Sequence, residues 1–187
     1  MNFKDYRQKR LSLEEQFKRI QHLIQVKDWR ELNFLCELTK LDQSILFQFK
    51  DYLDWKTISQ YQQLDMDFIR EMKDYVDWDR IWEYQKYLSE DFIDEFIDKA
   101  DWWNICLFRD LSEKFMEKHI DEMKWDIIST NQEMSEEFME RHIDQIMWER
   151  FFAIKNNPNK LSYYFINKYK DSYLKDYETF MEVDYDI

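Results

Sequence analysis

Residues 77–102 read DWDRIWEYQKYLSEDFIDEFIDKADW, and the Asp-Trp that opens this stretch returns at its end. Working outward from Trp78 and Trp102, a tryptophan recurs at Trp29, Trp55, Trp125 and Trp148, so the six are spaced by 26, 23, 24, 23 and 23 residues. Asp28, Asp54, Asp77 and Asp101 precede the first four, and Lys124 and Met147 the last two. Three residues after each Trp stands an apolar residue: Leu32, Ile58, Ile81, Ile105, Ile128 and Phe151. A fixed period in this range is the mark of a repeat array, whose copies bury one another's apolar faces.

A second anchor lies midway. Leu88-Ser89-Glu90-Asp91-Phe92-Ile93 is matched by Leu111-Ser112-Glu113-Lys114-Phe115-Met116 and by Met134-Ser135-Glu136-Glu137-Phe138-Met139. Leu64-Asp65-Met66-Asp67-Phe68-Ile69 and Leu161-Ser162-Tyr163-Tyr164-Phe165-Ile166 are looser copies. The Ser or Asp accepts hydrogen bonds from free N–H groups of a first helical turn, and the acids behind it suit the positive helix end. Phe92, Ile93, Phe96, Ile97 and Ala100 then recur at helical spacing, which predicts an amphipathic second helix of about three turns. The Asp-capped Trp segment is the first helix.

The expected fold is therefore all-α: an α-solenoid of about five short helix–turn–helix repeats with atypical terminal caps. It reads as one domain over 1–187, with an N-terminal cap at 1–27, repeats at 28–155, and a degenerate last repeat and aromatic–acidic tail at 156–187. The 26-residue first spacing predicts a longer turn near Lys40 to Ser44. Asn156-Asn157-Pro158-Asn159 predicts a loop, and a last helix is expected near Leu161 to Leu174.

The 187 residues contain no glycine and one proline. That removes the phosphate loop, the dinucleotide fingerprint and the nucleophile elbow, each of which needs glycine for close backbone approach or a sharp turn. Cys36 and Cys106 sit in apolar helical patterns and read as reduced core thiols. No apolar run approaches the ~18 residues of a membrane span. The first ten residues, MNFKDYRQKR, lack a signal-peptide core. A cytoplasmic location follows as the expectation, with no membrane partner.

The net charge of −13 is concentrated: residues 51–150 carry 27 acidic and 12 basic residues, against 7 and 10 in residues 1–50. Counted from each cap serine, acids recur at the first, fifth and ninth positions. These are Glu90, Asp94 and Asp98, then Glu113, Glu117 and Asp121, then Glu136, Glu140 and Asp144. Such i, i+4, i+8 spacing places each trio on one helix face, expected to point to solvent. Stacked side by side, the nine carboxylates would make a grid that serves solubility or meets a basic partner.

His119 and His142 share one repeat position, filled elsewhere by Phe96 or Met72, so both read as inner packing residues. No cysteine or carboxylate joins them at ligand spacing, and no metal or cofactor is expected. A glycosidase needs two carboxylates across a cleft, whereas these acids face outward, so no enzyme is expected. Direct nucleic-acid binding needs a basic face that the repeats lack. Trp82, Trp103, Tyr84 and Tyr87 are either packing residues or interface anchors.

The pattern Leu-Ser-Glu-x-Phe-Ile followed by Asp-Trp-x-x-Ile resembles the short tandem helical repeats of large DNA virus and bacteriophage proteins. The resemblance covers residues 50–150 and implies a repeat type, with no functional residues attached. Together these readings lead to a non-enzymatic protein that binds and blocks a basic surface of a partner protein through the nine acids. Its concrete form is a viral or phage inhibitor, in the host cytoplasm, of a nucleic-acid-handling defence protein by DNA mimicry. Duplex DNA carries one charge per ~1.7 Å of axis, and roughly six acids per repeat approach the same count per 10 Å. The alternative is a structural adaptor or assembly module that binds through exposed aromatics.

Overall fold

The computed structural model describes residues 11–153 and 157–173, and every regular element among them is a helix. In chain order these are α1 (Leu13–Gln25), α2 (Trp29–Leu38), α3 (Gln43–Gln48), α4 (Trp55–Tyr61), α5 (Met66–Glu71), α6 (Trp78–Tyr84) and α7 (Glu90–Glu95). There follow α8 (Trp102–Phe108), α9 (Glu113–Lys118), α10 (Trp125–Asn131), α11 (Glu136–Arg141), α12 (Trp148–Ala153) and α13 (Tyr163–Tyr169). Cα packing divides the chain into two compact units, residues 1–100 and 101–187. In the first, α1 packs on α2 and α3, α2 on α4, and α4 on α6; in the second, α8 packs on α10 and α10 on α12. Each unit thus stacks successive helix pairs on their neighbours, as a helical-repeat solenoid does.

The caps form as the side chains dictate. Asp28, Asp54, Asp77 and Asp101 each accept from a backbone N–H two or three residues on. Ser89, Ser112, Ser135 and Ser162 accept from Phe92, Phe115, Phe138 and Phe165 at 3.1–3.2 Å. Lys124 occupies the cap of α10 without a side-chain hydrogen bond, and its charge faces the positive helix end. Lys124→Asp is therefore expected to raise stability by about 1 kcal/mol, read as a higher urea midpoint. An unchanged midpoint would show that α10 is held by packing alone.

Two sequence expectations are corrected. The first concerns the long spacing after Trp29. The connection Thr39–Asp42 is no longer than Gln62–Asp65; instead α2 has ten residues where α4, α6, α8 and α10 have seven. Three extra residues make almost one helical turn, so the apolar face stays in phase. Leu35, Cys36 and Thr39 then fall in register with Ile58, Ser59 and Gln62, all buried, while Trp29 lies one turn outside the register and is exposed.

The second correction concerns the three-turn helix. α3, α5, α7, α9 and α11 each have six residues. Three of them run on into 3-10 turns, Lys50–Tyr52, Ile97–Lys99 and Ile120–Glu122. At Phe49, Met72, Phe96, His119 and His142 the backbone leaves the helix, with φ between −119° and −101° and ψ between 16° and 34°. The inner ring at this position swings back onto its own repeat's tryptophan. Phe96 lies 4.7 Å from Trp78, His119 5.1 Å from Trp102, and His142 5.4 Å from Trp125, centroid to centroid.

The tryptophan period has a polar cause as well as an apolar one. The indole N–H of Trp55 donates to Lys50 O at 2.8 Å, that of Trp78 to Lys73 O at 3.2 Å, and that of Trp148 to Ile143 O at 3.2 Å. Each indole closes a carbonyl left open where the preceding second helix ends, work that a glycine-based cap does in other proteins. Lys27, with φ 57°, takes the left-handed position that ends α1. The Asn157–Asn159 segment is a connection, as expected, and α13 is the last described helix; residues 174–187, including the aromatic–acidic tail, lie outside the described residues. Among the described residues no helix is long and apolar enough to cross a membrane.

Candidate interaction surfaces

Within both units a buried amide joins one connection to the one before it. In the first unit, Gln85 Nε2 donates to Ser59 O and Gln62 O, both at 2.8 Å, while Gln85 Oε1 accepts from Leu64 N at 3.0 Å. Gln62 grips Cys36 O, Thr39 O and Leu41 N in the same way. In the second unit Gln132 takes Cys106 O, Arg109 O and Leu111 N, and Asn159 takes Gln132 O and Met134 N. Gln62, Gln85 and Gln132 all stand seven residues after a Trp. The signal was in the alignment, but glutamine reads as a surface residue until its neighbours are known. At that register Arg109 is buried and carries only donors, so it cannot accept an N–H as glutamine does. Burial pushes its guanidinium down from its ordinary value.

Within each acidic trio the first two members share an α-helix and the third does not. Asp98 and Asp121 sit in the 3-10 turns Ile97–Lys99 and Ile120–Glu122, and Asp144 lies past the end of α11. In the first unit Glu90 and Asp94 on α7 are half-exposed and Asp98 is exposed. Lys99 Nζ lies 2.9 Å from Asp98 and its hydrogen bond holds that carboxyl below its ordinary value.

In the second unit most of the acids couple one repeat to the next, rather than pointing only to solvent. Glu113 accepts from Ser135 N, and Glu136 from Ser162 N and Ser162 Oγ. Each such carboxylate accepts from the backbone N–H of the cap residue of the following repeat. Glu117 lies 3.0 Å from His142 Nε2 and 3.6 Å from Arg141; the His142 hydrogen bond is the main reason its carboxyl is held below its ordinary value. Glu140 pairs with Lys168 at 2.9 Å, and Asp144 accepts from the Tyr173 hydroxyl. Asp121 is exposed. The first unit builds the same couplings from other residues. Gln43 brackets Asp65, Arg70 pairs with Glu95 at 2.7 Å, and Tyr75 donates to Asp51 at 2.8 Å.

Asp65 offers a clean acid test. Its hydrogen bonds from Phe68 N and from Gln43 hold its carboxyl below the ordinary range. A depressed carboxylate contributes stability above its unfolded value and loses it as pH falls through the folded one. Asp65→Ser keeps a cap of the kind seen at Ser89 but does not titrate. Between pH 6 and pH 2 the wild type is expected to lose more of its urea midpoint than the variant. Parallel losses would mean that the cap, and not its charge, is what matters.

His119 and His142 occupy the inner positions expected, against Phe115 at 4.6 Å and Phe138 at 4.7 Å. Cys36 and Cys106 are free and buried, and burial pushes the Cys36 thiol up to about 12. Among the described residues no three His, Cys, Asp or Glu side chains gather as a metal site would require. The four extra aromatics divide. Trp82 is fully buried and its indole donates to Lys99 O at 2.6 Å, whereas Trp103 is 52%, Tyr84 38% and Tyr87 81% exposed. No family model, curated protein or solved structure matches the chain.

Proposed function

We propose that this protein is a non-enzymatic acidic repeat array that binds a basic surface of a partner protein. The observation that carries the reading is the charge imbalance within the repeats. Residues 51–150 hold 27 carboxylates and 12 cationic side chains, so one-for-one pairing inside that stretch leaves fifteen acids without a local counter-charge. A hydrogen bond from a backbone N–H, as at Glu113 and Glu136, orients a carboxylate without neutralising it. A field of oriented, uncompensated negative charge steers and holds cationic partners. The concrete form is a viral or phage inhibitor that occupies the phosphate-binding surface of a nucleic-acid-handling protein in the host cytoplasm.

The test is a pull-down from nuclease-treated host lysate at low and high salt. It compares the wild type with a variant carrying Asn or Gln at Glu90, Asp94, Asp98, Glu113, Glu117, Asp121, Glu136, Glu140 and Asp144. A partner held only by the wild type, only at low salt, and displaced by duplex DNA is the expected result. A partner that survives both neutralisation and salt removes the electrostatic reading. It would favour the adaptor reading, whose supporting observation is the set of exposed aromatics, Tyr61, Tyr84 and Tyr87 among them.

A further inference from the structure

Both ring nitrogens of His142 meet side-chain oxygens. His142 stands where α11 ends, in the second unit, and its side chain is 13% exposed. Nε2 lies 3.0 Å from Glu117 Oε2, on α9 of the preceding repeat, and Nδ1 lies 3.1 Å from Gln145 Oε1. From α11 the charged neighbour is Arg141, 3.6 Å from the same Glu117 oxygen and 3.4 Å from Glu137. α10 presents the Trp125 ring and α11 the Phe138 ring.

The repeats themselves show when a histidine is used here. Five residues past each second-helix cap stand Phe47, Arg70, Asp94, Glu117 and Glu140. Seven residues past the next cap stand Met72, Phe96, His119, His142 and Tyr169, in the same order. Histidine fills the inner position only where the preceding copy offers an acid. Packing alone does not ask for that match, since Phe96 and Met72 pack in the same place. An imidazole facing a carboxylate does. Neutral imidazole has one N–H and one lone pair, whereas imidazolium has two N–H groups. With one proton, His142 gives Glu117 an uncharged donor, and the Gln145 amide turns its NH2 toward Nδ1. With two, both oxygens accept, and the bond to Glu117 is charge-assisted and roughly twice as strong.

We propose that His142 is a proton-operated clasp that fastens the end of α11 to α9 and stiffens the second unit on acidification. Imidazole is the side chain that changes charge between pH 5 and pH 8. Glu117 is held below its ordinary value, chiefly by the His142 hydrogen bond, and so stays ionised through that window. Folding that sets this carboxylate against the ring takes up a proton, so the coupling strengthens as pH falls and weakens as pH rises. The clasp stands independently of the partner reading.

A double-mutant cycle tests it. Wild type, Glu117→Gln, His142→Phe and the double variant are unfolded in urea at pH 5.5 and at pH 8, followed by tryptophan fluorescence. His142→Phe keeps a ring of the kind that Phe96 places at this position. His22 and His119 are present in all four proteins, so their titration cancels. The coupling between the two side chains is expected to be about twice as large at pH 5.5 as at pH 8. Equal coupling at both values, a larger one at pH 8, or none at either overturns the clasp. Hydrogen exchange of the wild type gives a second reading at the His142 amide, which bonds to Phe138 O. Its protection, corrected for the intrinsic rate, should rise from pH 8 to pH 5.5; unchanged or falling protection overturns the clasp without any variant.

Discussion

Replacing Gln85 by leucine is expected to lower the stability of the first unit by about 3–5 kcal/mol. The side chain is buried and makes three hydrogen bonds, to Ser59 O, Gln62 O and Leu64 N. Leucine fills similar space and answers none of these groups, so three backbone groups in or beside buried positions lose their partner. Each such orphan costs about 1–3 kcal/mol, and the gain from an apolar side chain offsets only part. Gln85→Glu should be no better, because a carboxylate has no N–H to give to the two carbonyls. The measurement is urea unfolding followed by tryptophan fluorescence, with hydrogen exchange at the Leu64 amide as the local readout. A midpoint within error of wild type, with Leu64 still protected, would mean that the helix faces alone set the register of the connections.

The second large effect is expected at Trp55, where packing and polar roles separate. Trp55 is buried, lies 6.4 Å from Phe68 and 5.6 Å from Tyr75, and donates to Lys50 O at 2.8 Å. Trp55→Ala removes the ring and opens a cavity, for an expected loss of about 3–5 kcal/mol. Trp55→Phe keeps much of the packing but withdraws the indole N–H, for an expected loss of about 1–2 kcal/mol. If the two variants were equally destabilised, the hydrogen bond to the helix end would be the whole reason for tryptophan. If Trp55→Phe were neutral, ring size alone would explain the period.

Much of this architecture is legible in the chain. The Asp-Trp and Ser-Glu-x-Phe markers locate both helices of a repeat, because capping and burial are local demands that specific side chains meet. What sequence could not show were the interactions between copies. Glu113 looks like the first acid of a solvated helix, and its bond to Ser135 depends on two repeats lying side by side. The break after α7 was hidden because Phe96, Ile97 and Ala100 continue a helical spacing. The departure is set by a ring returning to Trp78, a tertiary contact. Within the acid columns, Glu117 and Glu140 proved to face cations of the next repeat, Arg141 and Lys168, and Glu117 also hydrogen-bonds His142. That spends part of the outward charge on cohesion.

The amide grips all point one way along the chain: Gln62 holds residues 36–41, Gln85 residues 59–64, and Gln132 residues 106–111. During synthesis the amino end emerges first, so each connection gripped in this way waits for the following copy before its backbone is fully bonded. At about 5–20 residues per second, a further ~23 residues take roughly one to five seconds. At each of these joints the nascent protein carries an unfinished turn until the segment that holds the gripping glutamine has been made.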